Sequence, residues 1–180
     1  MPPNESKVDK YMNSLKRVMA IFIFLLPLSA VEASQTKLYE MPRTQVLPIK
    51  NTETGGQYEL YIKLPEDYAE NDDIKYPVIY FTDAEWHIDL LSGATEYLMS
   101  KAILVGISWQ KNMNEDLLED VGAHLSRFRD YSIVKSNKPE RQTKYQYGQA
   151  SSHLKFIRND VIKTVEKTYR IDPKSRTYFG

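Results

Sequence analysis

The chain has 180 residues, 24 Lys and Arg against 24 Asp and Glu, 42% hydrophobic residues and no cysteine. This composition is typical of one globular domain, and it excludes collagen, a coiled coil and a disulfide scaffold. Because the formal net charge is zero, the chain lacks the basic surface that nucleic acid requires, and no nucleic-acid partner is expected. The lack of cysteine excludes a thiol nucleophile and thiolate zinc sites.

The first 33 residues have the pattern of a secretory signal peptide. Lys16 and Arg17 precede an uncharged, largely apolar stretch of 14 residues, 18–31, and Ala33 offers a cleavage point. A helix that spans a bilayer needs about 20 apolar residues, so a cleaved signal is favoured over a retained membrane anchor. We therefore expect an exported protein, periplasmic or extracellular in a bacterium, with no stable membrane span after signal removal.

Translation could start at either of two methionines, Met1 or Met12. Met12 begins a leader of more usual length than Met1 does. Removal of residues 1–33 leaves 20 basic and 21 acidic residues in the mature chain, 34–180. The mature chain is therefore close to neutral as well.

The mature part begins with a predicted β-hairpin. Gln57–Leu64 alternates between apolar and polar residues, which is typical of a half-buried strand. Its expected partner is Gln45–Lys50, joined through a turn at Asn51–Gly56 whose two glycines accept positive φ. The segment Leu64–Pro77 reads as a polar loop.

The next segment predicts a β-α-β unit. Val78–Phe81 is an uninterrupted β-branched and aromatic run, as in a strand covered on both faces. Asp83–Trp86 is the expected loop at its carboxyl end, and a helix follows at His87–Met99. A second apolar run at Ala102–Ile107 completes the unit, and a right-handed crossover makes the two strands parallel.

The remainder predicts a long insertion, a helix and a strand. Ser108–Gln149 is long, polar and rich in aromatic residues, and loops of this length are usually functional or disordered. The helix has either Ser151 or Ser152 as its N-cap, and Arg176–Phe179 has strand character. One apolar stripe is expected along that helix, formed by Leu154, Ile157, Val161, Val165 and Tyr169. The order of elements predicts an α/β protein with a mostly parallel sheet.

The serines and histidines give no complete catalytic set. Ser108 begins a G-x-S sequence that lacks the closing glycine, and we interpret it as a residue at the end of a strand. The three histidines, His87, His124 and His153, lie 37 and 29 residues apart, so their spacing indicates no metal site.

A basic and aromatic cluster lies within the long insertion. Arg127 and Arg129 could hold a carboxylate or phosphate of a substrate together with Tyr131, or they could pair with Asp130 in a structural loop. The insertion tyrosines, which include Tyr145 and Tyr147, could line an aromatic pocket or form the amphipathic surface of a lid. The sequence leaves these alternatives open.

Several of these segments together resemble a known family. They are LPEDY, YPVIYFTDAEW, AILVGI, RFRDY and the helix and strand HLKFIRNDVIKTVEKTYRIDPKSRTYFG. In this order, and preceded by a hairpin, they resemble the putative-esterase family of α/β-hydrolases, which includes siderophore esterases, S-formylglutathione hydrolases and mycolyltransferases. The resemblance covers residues 45–180 and implies the α/β-hydrolase fold, here incomplete at the C-terminus.

The resemblance also implies where the catalytic groups lie. The nucleophile of these enzymes is the serine of a G-x-S-x-G elbow, followed along the chain by an acid and then a histidine. Gly180 matches the first elbow glycine, so the nucleophile is expected two residues after it and no catalytic residue is present before it. All three histidines precede Gly180, and none can fill the family's histidine position.

An oxyanion hole is the part of the active site that the resemblance does place within the chain. One donor comes from the loop after the third strand, which here is Asp83–Trp86, so the candidate backbone donors are Ala84, Glu85 and Trp86. Family members often have Asp-Gly where this chain has Asp83 and Ala84, and alanine tolerates positive φ poorly. The alternative is an ordinary loop in which Trp86 packs on the core.

Two functions follow as hypotheses. The first is an exported serine-type carboxylic-ester hydrolase that acts without a cofactor on a small-molecule ester, such as a siderophore or short acyl ester. The second is a non-catalytic truncated relative that binds a ligand or partner. The resemblance implies that residues 34–180 are the N-terminal portion of the esterase domain and are inactive alone. The sequence does not indicate the oligomeric state.

Overall fold

A computed structural model describes residues 38–69 and 73–180 of the chain. The predicted signal segment, residues 1–33, lies outside the described residues. Within the described part of the chain, no helix is long and apolar enough to cross a bilayer.

Within the described residues, five strands form one mixed sheet. They are β1 (Thr44–Lys50), β2 (Gln57–Lys63), β3 (Tyr76–Thr82), β4 (Ile103–Ile107) and β5 (Ile171–Phe179). Their order in the sheet is β1-β2-β4-β3-β5. β1 and β2 pair antiparallel, β2 runs antiparallel to β4, and β3 lies parallel to both β4 and β5. The predicted α/β fold, its N-terminal hairpin and its parallel β-α-β unit are confirmed.

Helices cover both faces of the sheet and fill much of the long insertion. The α-helices are α1 (Ala84–Leu98), α2 (Glu115–Val121), α3 (Arg127–Asp130), α4 (Pro139–Tyr145), α5 (Ala150–Phe156) and α6 (Ile162–Thr168). A π-helical turn, Ile157–Val161, joins α5 to α6, and 3-10 turns occupy Glu66–Ala69 and Ala123–Ser126. The segment expected to be one long loop therefore contains three short α-helices.

The core has two layers, one on each face of the sheet. On one face, Phe156 and Val161 from the helical segment pack with Leu60 and Ile62 of β2. On the other face, the first turn of α1 packs on β3 and β4 in a smaller cluster. The apolar face of β2 is buried as its alternation predicts.

The two glycines of the hairpin turn, Gly55 and Gly56, are required for different reasons. Gly55 has a left-handed φ of 79°, as expected for a glycine in a turn. Gly56 does not have positive φ, so that part of the prediction was wrong. A side chain there would place its Cβ 2.9 Å from Oε1 of Gln110 and 3.1 Å from the ring of Tyr58. A larger residue than glycine would therefore clash with Gln110 and Tyr58 at position 56.

The last helical segment begins and packs differently from the prediction. Its N-cap is Gln149, without a side-chain hydrogen bond, so the prediction of a serine cap was wrong. Leu154 is 47% exposed, and His153 and Phe156 are buried instead. A π-helical turn places residues five apart on one side of the helix, and Phe156 and Val161 are accordingly both buried.

Three element boundaries also differ. β3 begins at Tyr76, before the proline that was expected to end the loop. β5 begins at Ile171, five residues before the expected start. α1 begins at Ala84 rather than at His87, so residues 84–86 form the first helical turn and only Asp83 lies between strand and helix.

Candidate active site

The carboxyl ends of three parallel strands meet at one edge of the sheet. Thr82 at the end of β3 pairs with Ile107 of β4, and Phe81 pairs with Phe179 of β5. A Cβ on Gly180 would lie 2.6 Å from the hydroxyl oxygen of Thr82, so the end of β5 lies directly beside the end of β3. Open α/β sheets bind their ligands at this edge.

Asp83 alone makes the turn from β3 into α1. Its backbone is left-handed, with φ 56° and ψ 47°, and it is 6% exposed. Aspartate adopts this conformation more readily than most residues other than glycine. Ala84 has no positive φ, so this chain does not need glycine at that position. The Asp-Ala pair is therefore compatible with the strand-to-helix turn.

Two of the three candidate oxyanion donors are open, by which we mean that their N–H groups have no hydrogen-bond acceptor. The N–H of Trp86 donates to the carbonyl of Asp83 at 2.9 Å. The N–H groups of Ala84 and Glu85 have no acceptor among the described residues, as expected for the first two residues of a helix. The positive end of the helix dipole favours negative charge at this point. Ala84 is fully buried, whereas Glu85 is partly exposed, so an oxyanion placed before α1 could reach the N–H of Glu85.

Trp109, which follows β4, forms two hydrogen bonds to the turn between β3 and α1. Its ring Nε1 donates to Oδ1 of Asp83 at 2.6 Å, and its backbone N–H donates to Oε1 of Glu85 at 3.2 Å. Lys111 Nζ lies 2.7 Å from the same Glu85 oxygen, and Nε of Arg127 lies 2.8 Å from Oδ1 of Asp83. These contacts fix the backbone that carries the open N–H groups.

An exposed indole lies beside the open N–H groups. Trp86 is 51% exposed, so it does not pack into the core; Trp109, at 6%, does. The Arg127 guanidinium lies 4.8 Å from the Trp86 ring centroid and 5.4 Å from that of Tyr131. We call Trp86 and Arg127 together the Trp86–Arg127 platform. It offers a flat apolar surface beside a guanidinium whose charge is paired with Asp83.

Tyr131 lies between Arg127 of the Trp86–Arg127 platform and the buried His153. Burial raises the pKa of its phenol, and the nearby Asp83 charge adds to the effect. Its ring also meets the His153 ring edge-on at 5.5 Å. The phenol therefore stays protonated and able to donate a hydrogen bond.

Arg129 lies on the other side of α3, away from the platform. Its Nε donates to Oδ1 of Asp130 at 2.7 Å, and its Nη2 donates to Oε1 of Gln110 at 2.6 Å. The hydroxyl of Tyr58 donates to Oδ2 of Asp130 at 3.0 Å. Of the three predicted substrate-binding residues, the structure therefore brings Arg127 and Tyr131 to the sheet edge and leaves Arg129 in this separate network.

The other sequence candidates have structural contacts. Ser108 is buried, donates to the carbonyl of Trp109 at 2.7 Å and accepts from the N–H of Glu59 at 2.8 Å, as suits a strand-end residue. Nδ1 of His87 lies 3.1 Å from the carbonyl of Thr82. Over residues 38–69 and 73–180, no group of three acidic or histidine side chains is arranged to hold a metal ion.

The buried His153 predicts a dependence of stability on pH. Burial lowers its pKa, and the Arg129 charge lowers it too, against the opposing charges of Asp130 and Asp83. Unfolded His153 takes up a proton near pH 6.5, whereas the folded state resists it. The free energy of unfolding should therefore fall as the pH drops below about 6.5, by at most about 1.4 kcal/mol per pH unit for one group.

Urea unfolding of the wild type and of His153→Phe between pH 7 and pH 5 measures this effect. The variant keeps an aromatic ring but cannot titrate, so its free energy of unfolding should fall less steeply over this range. Equal slopes for the two proteins would show that His153 is protonated as easily in the folded state as in the unfolded one.

Comparison with known proteins identifies the family of this chain. The family model described as Putative esterase matches residues 51–180. The chain belongs to this esterase family. Over 155 residues it is 25% identical to the ferri-bacillibactin esterase BesA of Bacillus subtilis, a match that covers 79% of this chain and 50% of BesA.

Two solved structures are similar in fold. The BES protein of Bacillus cereus superposes with a TM-score of 0.64 at 21% identity, over 81% of this chain and 56% of that protein. An IroE-like serine hydrolase of Shewanella oneidensis superposes with a TM-score of 0.56 at 26% identity, over 71% and 39%. The chain thus spans about half the length of the curated relative that it matches.

Proposed function

We propose that the chain is the oxyanion-binding part of a serine-type carboxylic-ester hydrolase whose nucleophilic serine follows Gly180 by two residues. The observation that carries this proposal is the unpaired N–H of the partly exposed Glu85, in the first turn of α1 and next to the end of β5. In G-x-S-x-G hydrolases the serine stands on the turn after such a strand. Family membership and the similarity to a serine hydrolase support the same reaction.

The geometry suits attack on an ester carbonyl. The serine Oγ would bond to the carbonyl carbon while a histidine takes its proton, and the alkoxide would leave with that proton as the C–O bond breaks. Water would then release the acid from the acyl-enzyme. During both steps the carbonyl oxygen carries negative charge, which the N–H of Glu85 would stabilise together with the N–H that follows the serine. One such donor typically contributes about 10²–10³ in rate.

The proposed substrate is a siderophore ester, with short acyl esters as the alternative. The similarity to a ferri-bacillibactin esterase supports a siderophore. The Trp86–Arg127 platform adds a physical reason, because the half-exposed Trp86 indole offers a flat surface on which a planar group of the substrate can stack. Arg127 and Tyr131 would contact the substrate, and Arg129 would fix α3 through its pairing with Asp130.

Activity assays test the proposal directly. Among the described residues, no serine hydroxyl bonds to a histidine, so the 180-residue chain should hydrolyse p-nitrophenyl acetate no faster than buffer does. The product of the same reading frame continued through the expected serine and histidine should hydrolyse it. Hydrolysis by the 180-residue chain alone, retained through repeated purification, would contradict this assignment of the nucleophile.

Export is part of the proposal and has its own test. We propose that residues 1–33 are removed as a secretory signal. N-terminal sequencing of the protein isolated from its own cells should then begin at Ser34. A mature protein that begins at Met1 or Met12 would show that the segment is retained.

A further inference from the structure

The residue that offers the accessible oxyanion donor carries a negative charge of its own. Glu85 is the second residue of α1, and its N–H has no acceptor among the described residues. Four bonds separate this nitrogen from the carboxylate carbon of the same side chain, so the two atoms lie no more than about 5 Å apart. A carboxylate in the first turn of a helix is favoured by the helix dipole. It would nevertheless repel the negative charge of an oxyanion bound at the same N–H.

Lys111 neutralises this carboxylate. Its Nζ lies 2.7 Å from Oε1 of Glu85 and 3.2 Å from Oε2 of Glu59. The backbone N–H of Lys111 donates to the carbonyl of Gln57 at 2.7 Å, so the start of β2 fixes the base of the lysine side chain. The side chains of Lys111 and Glu85 are 37% and 19% exposed, and water screens such a partly buried pair only incompletely.

The charge of Lys111 persists at neutral pH. Burial opposes it, but the hydrogen bonds to Glu85 and Glu59 and the charge of Glu85 outweigh burial and raise the pKa of Lys111. The other carboxylate of the turn, Asp83, has its own cation, because Nε of Arg127 lies 2.8 Å from Oδ1. Each carboxylate beside the proposed oxyanion site is therefore held by a basic side chain.

We propose that Lys111 is a positioning residue of the oxyanion site, which holds and neutralises the Glu85 carboxylate so that the N–H of Glu85 can stabilise negative charge. This inference rests on the proposed function. Trp109 also holds the carboxylate, since its N–H donates to Oε1 at 3.2 Å. Loss of the lysine would therefore remove a charge and leave the carboxylate in place.

A charge-balanced double variant separates this role from a structural one. In Glu85→Gln, the backbone N–H remains, and the amide oxygen can still accept from Trp109, but the negative charge is gone. Lys111→Met combined with Glu85→Gln removes one charge of each sign, so the potential at the N–H should return to that of the wild type. A packing defect caused by the loss of Lys111 would persist in the double variant.

Hydrogen exchange of the Glu85 amide measures this potential by NMR on the 180-residue chain. Hydroxide-catalysed exchange passes through a negatively charged amide, so its rate reports how well the surroundings stabilise negative charge at that N–H. At constant pH and low salt, Lys111→Met should slow the exchange about threefold, and the double variant should restore it. Lys101→Met, a matched change at an exposed lysine that pairs with Asp67, should leave the rate unchanged.

Kinetics of the esterase produced from the full reading frame give the second readout. Lys111→Met should lower kcat for p-nitrophenyl acetate about tenfold and leave KM nearly unchanged, because the oxyanion forms only after the substrate is bound. Lys111→Arg keeps the charge and should retain most of the activity. The double variant should recover kcat.

Circular dichroism verifies that each variant is folded, and Lys111→Gln replaces Lys111→Met if the latter does not fold. The proposal is overturned if the Glu85 amide exchanges equally fast in the wild type and in Lys111→Met, or if slow exchange persists in the double variant. An active esterase whose kcat is unchanged by Lys111→Met would overturn this proposal alone. A product of the full reading frame without activity would overturn the proposed function, and the exchange rates would still decide the role of Lys111.

Discussion

Replacing Gly106 by valine is expected to lower the free energy of unfolding by about 3 kcal/mol, the upper part of the usual range for an overpacked core. Gly106 lies in the middle of β4. A Cβ there would stand 2.7 Å from Cζ of Phe81 and 2.8 Å from Cβ of Ala84. Both neighbours are fully buried, so neither can move aside cheaply. Since Ala84 begins α1, the clash would also displace the proposed oxyanion donor.

Urea unfolding measures this effect, and Gly93 provides the matched control. Gly93 lies in the interior of α1, and a Cβ there would meet nothing within 4 Å. Gly93→Ala should therefore raise the free energy of unfolding by about 0.5–1 kcal/mol, because alanine loses less backbone entropy in a helix. An unfolding midpoint for Gly106→Val equal to that of the wild type would refute the packing of α1 against β4 described above.

Replacing Asp83 by alanine is expected to cost a similar amount, about 3 kcal/mol. The change leaves the buried Nε1 of Trp109 without its acceptor, which typically costs about 1–3 kcal/mol. The left-handed backbone conformation of Asp83 also costs alanine about 1–2 kcal/mol. Arg127 would lose its carboxylate partner as well.

Asp83→Asn separates these causes. Asparagine adopts the left-handed conformation readily and still offers an oxygen to Trp109. It removes only the charge opposite Arg127, so the expected loss of free energy of unfolding is about 1 kcal/mol. Thermal and urea unfolding of both variants give the comparison. Equal losses for alanine and asparagine would show that backbone conformation and the Trp109 hydrogen bond contribute little.

Most strands could be predicted from the sequence because their burial patterns are local. The alternation over β2 and the apolar runs of β3 and β4 correspond to one and two covered faces of a sheet. The start of α1 was missed because Asp83 makes the whole turn by itself, without a glycine or proline to mark it. The π-helical turn also could not be foreseen, since it shifts the apolar stripe away from regular helical spacing.

The candidate site could be located from the sequence, but its supporting contacts could not. Trp109 lies 24 residues from Glu85 and 26 from Asp83, and only the parallel register of β3 and β4 brings them together. Arg127 and Arg129 are neighbours in a short motif, and residues two apart on a helix do not share a face. The sequence grouped these arginines, whereas the structure places them in different networks.

We propose above that the sheet edge at Asp83 and Gly180 serves a nucleophilic serine. The most direct test is to treat the native protein with a fluorophosphonate, which bonds covalently to activated serines, and to identify the labelled peptide by mass spectrometry. We expect a single labelled serine, two residues after Gly180, and no label on Ser108. A label on any serine within residues 38–180, or the absence of labelling in a folded native protein, would contradict it.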